Sequence, residues 1–418
     1  MNKPHHLTRN IIVGMALGIV VGTIFNRVGV DGPVAGFFVD DVFPLVGSIF
    51  IRSLQLLVVP LVLLSLITGT AALEDVRRLG RIGAKTLAFY LTTTAVAISI
   101  AIGLGLLFQP GAGFELDHAT DFSVADSPPF TEVLLNIFPS NPFAAMAQGN
   151  MLQVIVFAIL FGLALCLSGD PGKRVLALAS DLNEVVLKLV SLLLLAAPFG
   201  VFALIARTFA QEGFGAILAL GQYFFLVLLA LVIHGVVTYG GLLAVFARVS
   251  PLRFFKKMRK VQLFAFSTAS SNATIPVTLE TVEKRVGVNR AVASFTVPLG
   301  ATVNMDGTAI MQGVATVFIA QALGIDIGLQ GYLMVILTAT LASIGTAGVP
   351  GVGLVMLAMV FQQVGLPVAA IGVIYGVDRL LDMVRTAVNV TGDAVVSTIV
   401  ARGEGEFDEA VWAADQED

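Results

Sequence analysis

The stretch 376–401, GVDRLLDMVRTAVNVTGDAVVSTIVA, is apolar enough to sit in a bilayer, yet it carries Asp378, Asp382, Arg385, Asn389 and Asp393. At about 100° per residue, steps of four, three, four and four keep these side chains within roughly 80° of one another on a helix. A charged side chain at mid-bilayer costs at least about 2.5–3.5 kcal/mol, so a membrane helix holds such a column only where it faces protein, water or a ligand. The column is the first place to look for function.

Apolar runs recur from end to end of the 418 residues, which are 57% hydrophobic and only 12% charged. That composition points to an all-α polytopic membrane protein. Cys166 is the single cysteine and lies in the run VIVFAILFGLALCL, so disulfides and cysteine metal clusters are excluded. His5, His6, His118 and His234 have no ligand-like spacing, and His234 reads as a packed or bonded helix residue before it reads as a proton relay. No Ser–His pair or pair of catalytic acids stands out, so no enzyme is expected, and no nucleic-acid partner. The start, MNKPHHLTRN followed by IIVGMALGIVVGTIF, places basic residues before an apolar run as a signal peptide does. Without a small-x-small cleavage site, it reads as a retained first helix. The acidic ending, EGEFDEAVWAADQED, reads as a mobile tail.

Candidate spans run 10–26, 43–72, 86–108, 150–168, 176–206 and 216–248, with a less regular region over 260–402. Basic residues cluster at Lys3 and Arg9, at Arg77, Arg78, Arg81 and Lys85, at Lys173 and Arg174, and in RFFKKMRK at 253–260. None occurs between Lys85 and Lys173, where the loop 109–129 carries only Glu115, Asp117, Asp121 and Asp126 as charges. The positive-inside bias puts that loop outside the cell and the clusters in the cytoplasm. Six crossings before Lys256 agree with cytoplasmic placement of both the amino terminus and that basic patch. The third span also holds Tyr90, Thr93 and Thr94, whose hydroxyls bond their own backbone or serve an ion or partner helix.

Three interruptions break the carboxyl-terminal region: STASSNATIP at 267–276, GATVNMDGT at 300–308 and SIGTAGVPGVG at 343–353. Unpaired backbone cannot face lipid, so such segments at membrane depth are buried in protein or line a cavity. The apolar arms beside the first and third are too short to cross alone, which predicts two helical hairpins that dip in and return. Their repetition suggests an inverted repeat, the usual setting for substrate and ion sites in secondary transporters. The other reading, ordinary loops outside the bilayer, fits poorly with three loops so lacking in charge. Asn272-Ala-Thr274 and Asn389-Val-Thr391 match a glycosylation pattern by chance on this placement.

NMDGT, SIGTAGVPGVG and LDMVRTAVNVTGD, in that order, closely resemble the dicarboxylate/amino acid:cation symporter family, which includes animal excitatory amino acid transporters and archaeal aspartate transporters. The likeness covers nearly the whole chain by span pattern and is most specific over 260–402. It implies eight transmembrane helices, two re-entrant hairpins and a bowl-shaped homotrimer in the cell (inner) membrane. It further implies an elevator mechanism. Residues 1–85 and 130–206 would form the scaffold, 86–108 and 216–402 the transport domain, and 403–418 a cytoplasmic tail. Carried over position by position, Arg385 matches the residue that holds a side-chain carboxylate and Asp382 the one that binds an amino group. Ser271, Thr308, Val349, Gly353, Thr386 and Asn389 match further substrate contacts. One sodium site would use Gly300, Asn304, Asn389 and Asp393; a second Thr302, Ser343, Ile344 and Thr346; a third Tyr90, Thr93, Thr94, Asn304 and Asp306, with Met305 between sites.

The residue chemistry agrees with these roles. A planar guanidinium donates two parallel bonds to a carboxylate, which lysine cannot reproduce. Asp382, one turn away, offers a partner for an α-ammonium, so a dicarboxylate without nitrogen would leave it unpaired and a neutral amino acid would strand Arg385. Sites of this kind reject incomplete ligands by factors on the order of 10⁴. A purely structural ion-pair network explains the cluster less well, since buried pairs are often no more stabilising than apolar packing. Sodium suits the oxygen donors. The expected function is symport of L-aspartate, with L-glutamate left open, coupled to several sodium ions; a proton-coupled or neutral amino acid carrier is the alternative, and an anion channel a further class. Within the resemblance, Asp393 stands where proton-coupled bacterial relatives carry asparagine. Gln312 replaces the glutamate that animal members use for proton and potassium coupling. A second arginine, found in relatives at the position of Ala269 or Met383, is lacking at both.

Overall fold

The protein is described by a computed structural model covering residues 4–28, 32–71, 81–114, 138–212, 214–344, 346 and 348–414. Lys3, Arg77 and Arg78 of the basic clusters, residues 115–129 of the expected outer loop and the last four residues lie outside the described residues. Among the described residues the regular elements are all helices. They are α1 (Pro4–Val28), α2 (Phe43–Ala71), α3 (Arg81–Phe108), α4 (Pro142–Gln148), α5 (Met151–Leu167), α6 (Asp170–Leu193), α7 (Ala197–Glu212) and α8 (Phe214–Ile233). Then follow α9 (Pro251–Thr268), α10 (Ser271–Thr281), α11 (Arg290–Val303), α12 (Asp306–Ala322), α13 (Gly328–Ser343), α14 (Val352–Gln363), α15 (Ile371–Glu404) and α16 (Glu409–Ala413). By length and apolarity, Arg9–Val28, Arg81–Phe108 and Leu218–Ala247 are able to cross a membrane. The charged column of α15 sits in a helix of 34 residues, long enough to cross with turns to spare.

Helix α1 shows how small residues set the packing. Val13, Leu17, Val20 and Ile24 are exposed along one side, as a lipid-facing stripe would be. On the opposite side Gly14, Gly18 and Gly22 press against α7. A β-carbon at these positions would lie 2.5, 2.8 and 2.4 Å from the carbonyl oxygens of Pro198, Phe202 and Ala206. Lipid tails give no hydrophobic drive between helices, so close backbone approach over small residues supplies the dispersion contact instead. Helices α2, α5 and α6 pack together beside α7, while α3, α8, α9, α11 and α12 surround α15.

Several expected boundaries shift. The span over 176–206 is two helices, α6 and α7, joined by a 3₁₀ turn Leu194–Ala196. Pro198 has no N–H to donate to the carbonyl four residues earlier, so the α-helical ladder breaks there. The span over 216–248 begins as α8 and continues through π-turns at His234–Tyr239 and Leu243–Ala247. Such turns insert an extra residue and rotate the face that follows. The first interruption is shorter than the hydroxyl-rich run suggested, because only Ala269 and Ser270 are non-helical. Ser270 caps α10 by accepting from Ala273 N at 3.2 Å, and Thr274 and Thr278 bond the carbonyls one turn back, at Ser270 and Thr274.

The end of the chain departs furthest from expectation. Residues 405–414 are docked by backbone hydrogen bonds and by the buried Trp412. Asn289 N donates to Glu406 O at 2.9 Å, and Asp408 N donates to Gly287 O at 2.7 Å. Gly287 has φ +95°, and a β-carbon there would sit 2.4 Å from Asp408 O. The Lys257 ammonium on α9 has four carbonyl oxygens within hydrogen-bond reach of its three N–H groups: Arg285 O at 2.6 Å, Trp412 O at 2.9 Å, and Val411 O and Ala414 O at 3.2 Å. It also lies 5.1 Å from the centroid of the Trp412 ring. One cation thus closes the open carbonyls of α16, a helix too short to hold itself. A single tryptophan and a phenylalanine in an acidic tail were the only sequence signal for this docking.

Candidate functional site

The polar column is internal. Arg385 is fully buried, and Asp378, Asp382, Asn389 and Asp393 are each buried as well. Arg385 Nη1 lies 2.8 Å from Asp378 Oδ1, and Nη2 donates to Asp382 Oδ1 at 3.0 Å. The Nε of Arg385 has no hydrogen-bond partner among the described residues. A buried unpaired donor on a cation is costly, and an anionic ligand is the chemistry that would satisfy it. Thr386 lies one residue on, its hydroxyl donating to Asp382 O at 2.8 Å.

The turns that precede α10 and α14 meet near this place. Ser270 Oγ donates to Gly348 O at 2.7 Å, and Asn272 N donates to the same oxygen at 3.1 Å, which joins the two tips. Ser271, the first residue of α10, is buried between these two bonds. Gly353 opens the first turn of α14, where a β-carbon would lie 3.1 Å from Thr308 Cγ2 and 3.6 Å from Arg385 Nη2. Val349 is half-buried at the same tip. Four of the expected substrate residues, Thr308, Gly353, Asp382 and Arg385, are therefore neighbours.

The first expected sodium set also meets. Asn304 Nδ2 donates to Asp393 Oδ1 at 2.9 Å and to Asn389 O at 3.1 Å. A β-carbon on Gly300 would lie 2.4 Å from Asp393 Oδ1 and 2.6 Å from the Tyr90 hydroxyl. Asn389 Oδ1 accepts from Gly307 N at 2.7 Å, and its Nδ2 donates to Met305 Sδ at 3.3 Å. These bonds exist because α11 stops at Val303 and α12 starts at Asp306, leaving Asn304 and Met305 unwound against α15. Oxygen donors from a broken helix beside a buried carboxylate make a setting that fits a hard monovalent cation.

The third set is met in part. Thr94 Oγ1 donates to Asp306 Oδ1 at 2.6 Å, and Thr93 Oγ1 approaches Asn304 Oδ1 at 3.4 Å. The Tyr90 hydroxyl instead donates to Thr296 O at 2.9 Å. Asp306 has two further partners that the sequence did not signal: Tyr239 donates to Oδ2 at 2.8 Å, and His234 Nε2 lies 3.0 Å from that oxygen. His234 is thus a bonded helix residue, facing a carboxylate from a π-turn. The second set is not joined by side-chain bonds. Thr302, Ser343 and Thr346 each return their hydroxyl to a carbonyl of their own segment, at Leu299, Thr340 and Ala342. Ile344 caps the carboxyl end of α13.

One residue bears on the site without having been singled out. Arg379 Nη1 donates to Asp382 Oδ2 at 3.2 Å. Asp382 therefore has an arginine on each oxygen, so a dicarboxylate without nitrogen would not leave it unpaired as the sequence suggested. The signal was present as an i, i+3 pair beside the column, hidden by its place off the main face.

Comparison with known proteins places these features in a wider setting. A family described as Sodium:dicarboxylate symporter family matches residues 7–403. The proton/sodium-glutamate symport protein of Bacillus subtilis (strain 168) is 33% identical over 413 residues, 97% of this chain and 94% of that protein. The proton/glutamate-aspartate symporter of Escherichia coli (strain K12) is 34% identical over 419 residues, covering 97% and 95%. The C4-dicarboxylate transport protein 2 of Mesorhizobium japonicum is 35% identical over 418 residues, covering 96% and 90%.

Proposed function

Because the chain belongs to the sodium:dicarboxylate symporter family, we propose that it is a multi-pass secondary symporter that takes up L-aspartate, with L-glutamate as a candidate second substrate, together with several sodium ions. The observation that carries this reading is the buried Arg385, flanked by Asp378 and Asp382 and left with an unpaired Nε, beside the joined tips at Ser270 and Gly348. The guanidinium receives the side-chain carboxylate, and Thr308, Thr386, Asn389 and the backbone near Ser271, Val349 and Gly353 enclose the remainder. Sodium bound at Asp393 and Asp306 offsets their buried charge. Each positive charge moving inward gains about 2.3 kcal/mol per 100 mV of membrane potential, so several ions concentrate one substrate steeply.

In this reading α9–α10 and α13–α14 are the two re-entrant hairpins of an inverted repeat within an eight-span fold. Residues 86–108 and 216–402 slide as one body past a trimeric scaffold of 1–85 and 130–206, in the cell (inner) membrane with both termini cytoplasmic. Uptake of labelled aspartate into proteoliposomes tests it. The expected result is accumulation that requires an inward sodium gradient and that Arg385→Ala abolishes. Accumulation driven equally by a proton gradient without sodium favours the proton-coupled reading, and currents independent of any solute favour a channel.

A further inference from the structure

The contact between Arg379 and Asp382 changes what the site demands of its ligand. Asp382 Oδ1 is held by Arg385 at 3.0 Å and Oδ2 by Arg379 at 3.2 Å, while Asp378 lies 2.8 Å from Arg385. Two carboxylates and two guanidiniums thus balance within a single stretch of α15. The Arg379 and Asp382 side chains are only 14% and 12% exposed, so their pairing is screened little by water. A buried acid that already has a cation on each oxygen does not need a ligand ammonium to complete it. An arriving ammonium must instead compete with Arg379 for Oδ2.

We infer that Arg379 is a specificity-determining residue: its hold on Asp382 lets the site accept a dicarboxylate that lacks an amino group alongside an acidic amino acid. The inference rests on the symporter reading above, with Arg385 receiving one carboxylate in either case. With an amino acid bound, the ammonium displaces Arg379 from Oδ2. With a nitrogen-free dicarboxylate, Arg379 stays in place and Asp382 remains paired. Arg379 acts through Asp382, so the quantity that reports it is the ratio of two affinities and not either one alone.

The test measures sodium-dependent binding of aspartate and of succinate to the purified full-length protein, by calorimetry or by displacement of labelled aspartate. In the native protein succinate should displace aspartate fully at accessible concentrations. In Arg379→Met, Asp382 loses its second cation, so aspartate should bind as well or better while succinate weakens. The ratio of succinate Kd to aspartate Kd should rise about tenfold or more, and Arg379→Lys should keep the native ratio. A ratio unchanged in Arg379→Met would overturn the inference while leaving the aspartate site standing. Should that variant not fold, the native measurement decides, because succinate that fails to compete at about a thousandfold excess over the aspartate Kd overturns it too. Native protein that binds neither acid would remove the symporter reading, and this inference with it.

Discussion

Gly300 is the residue at which one atom most directly tests the proposed ion site. A β-carbon there would come within 2.4 Å of Asp393 Oδ1, closer than any carbon–oxygen contact allows, with Tyr90 behind it at 2.6 Å. Neither neighbour has room to give, since Tyr90 and Asp393 are both buried. Gly300→Ala should therefore push the carboxylate off Asn304 and weaken sodium binding by about tenfold or more, a cost near 1.4 kcal/mol. Calorimetric sodium titration reads this directly, and an unchanged isotherm would remove Gly300 and Asp393 from the ion site. Asp393→Asn tests the charge and not the space: it keeps an oxygen donor but lowers the pull on a cation, so the sodium titration should shift to higher concentration with the fold intact. At Arg385 the conservative change is the informative one. Arg385→Lys keeps a charge but loses the planar fork, and should weaken aspartate binding by about a hundredfold or more in the same assay.

At the scale of elements, sequence pattern and tertiary contact divide the structure between them. The column on α15 was legible because its 3.6-residue period survives any packing. The three interruptions were legible because small polar residues, glycine and proline break apolar runs for local reasons. Extents were harder to read: a hydroxyl that bonds its own helix, as Thr274 does, looks in sequence like one that ends it. Pairings such as Arg379 with Asp382 or His234 with Asp306 depend on which rotamer or neighbouring helix wins, and the docking of α16 depends on Lys257 lying more than 150 residues upstream. That docking predicts a loss. Lys257→Met leaves four carbonyls without their cation and should lower the stability of the folded protein by about 1–3 kcal/mol, read as a lower Tm in detergent. Removing the residues after Glu404 should have a similar effect, and an unaltered melt would make the tail an ornament. Glu404, beyond the apolar part of α15, adds a pH dependence. Hydrogen bonds from Lys85 and then Arg81 hold its carboxyl below the usual value of 4.5. This brace is complete above the ordinary carboxylate range and fades as pH falls through the depressed folded value. Glu404→Gln should flatten that part of the acid decline in Tm, and an identical decline in both proteins would count against the brace.

For the whole molecule, the proposed sliding of one group of helices past another makes a demand on a specific contact. Helix α7, part of the proposed scaffold, touches α15 where a β-carbon on Gly372 would lie 2.9 Å from Leu204 Cδ2, and where Ile205 meets Gly376. These are side chain against bare backbone, with no ion pair or hydrogen bond joining Leu204 and Ile205 to the two glycines. A contact of that kind holds by dispersion alone, lets one surface pass over another at low cost, and can re-form elsewhere along the path. A covalent tie across it would therefore stop transport without touching the proposed substrate site, farther along α15 at Asp382 and Arg385. The experiment replaces the single native thiol by Cys166→Ser, introduces Leu204→Cys with Gly372→Cys, and bridges the pair with mercuric ion in proteoliposomes. Bridged protein should lose at least about nine-tenths of its aspartate uptake while sodium-dependent binding persists, and a thiol reductant should restore the uptake. Uptake that continues at its former rate in fully bridged protein would mean that this contact does not move in the cycle, and that access alternates by motion of the hairpin tips alone.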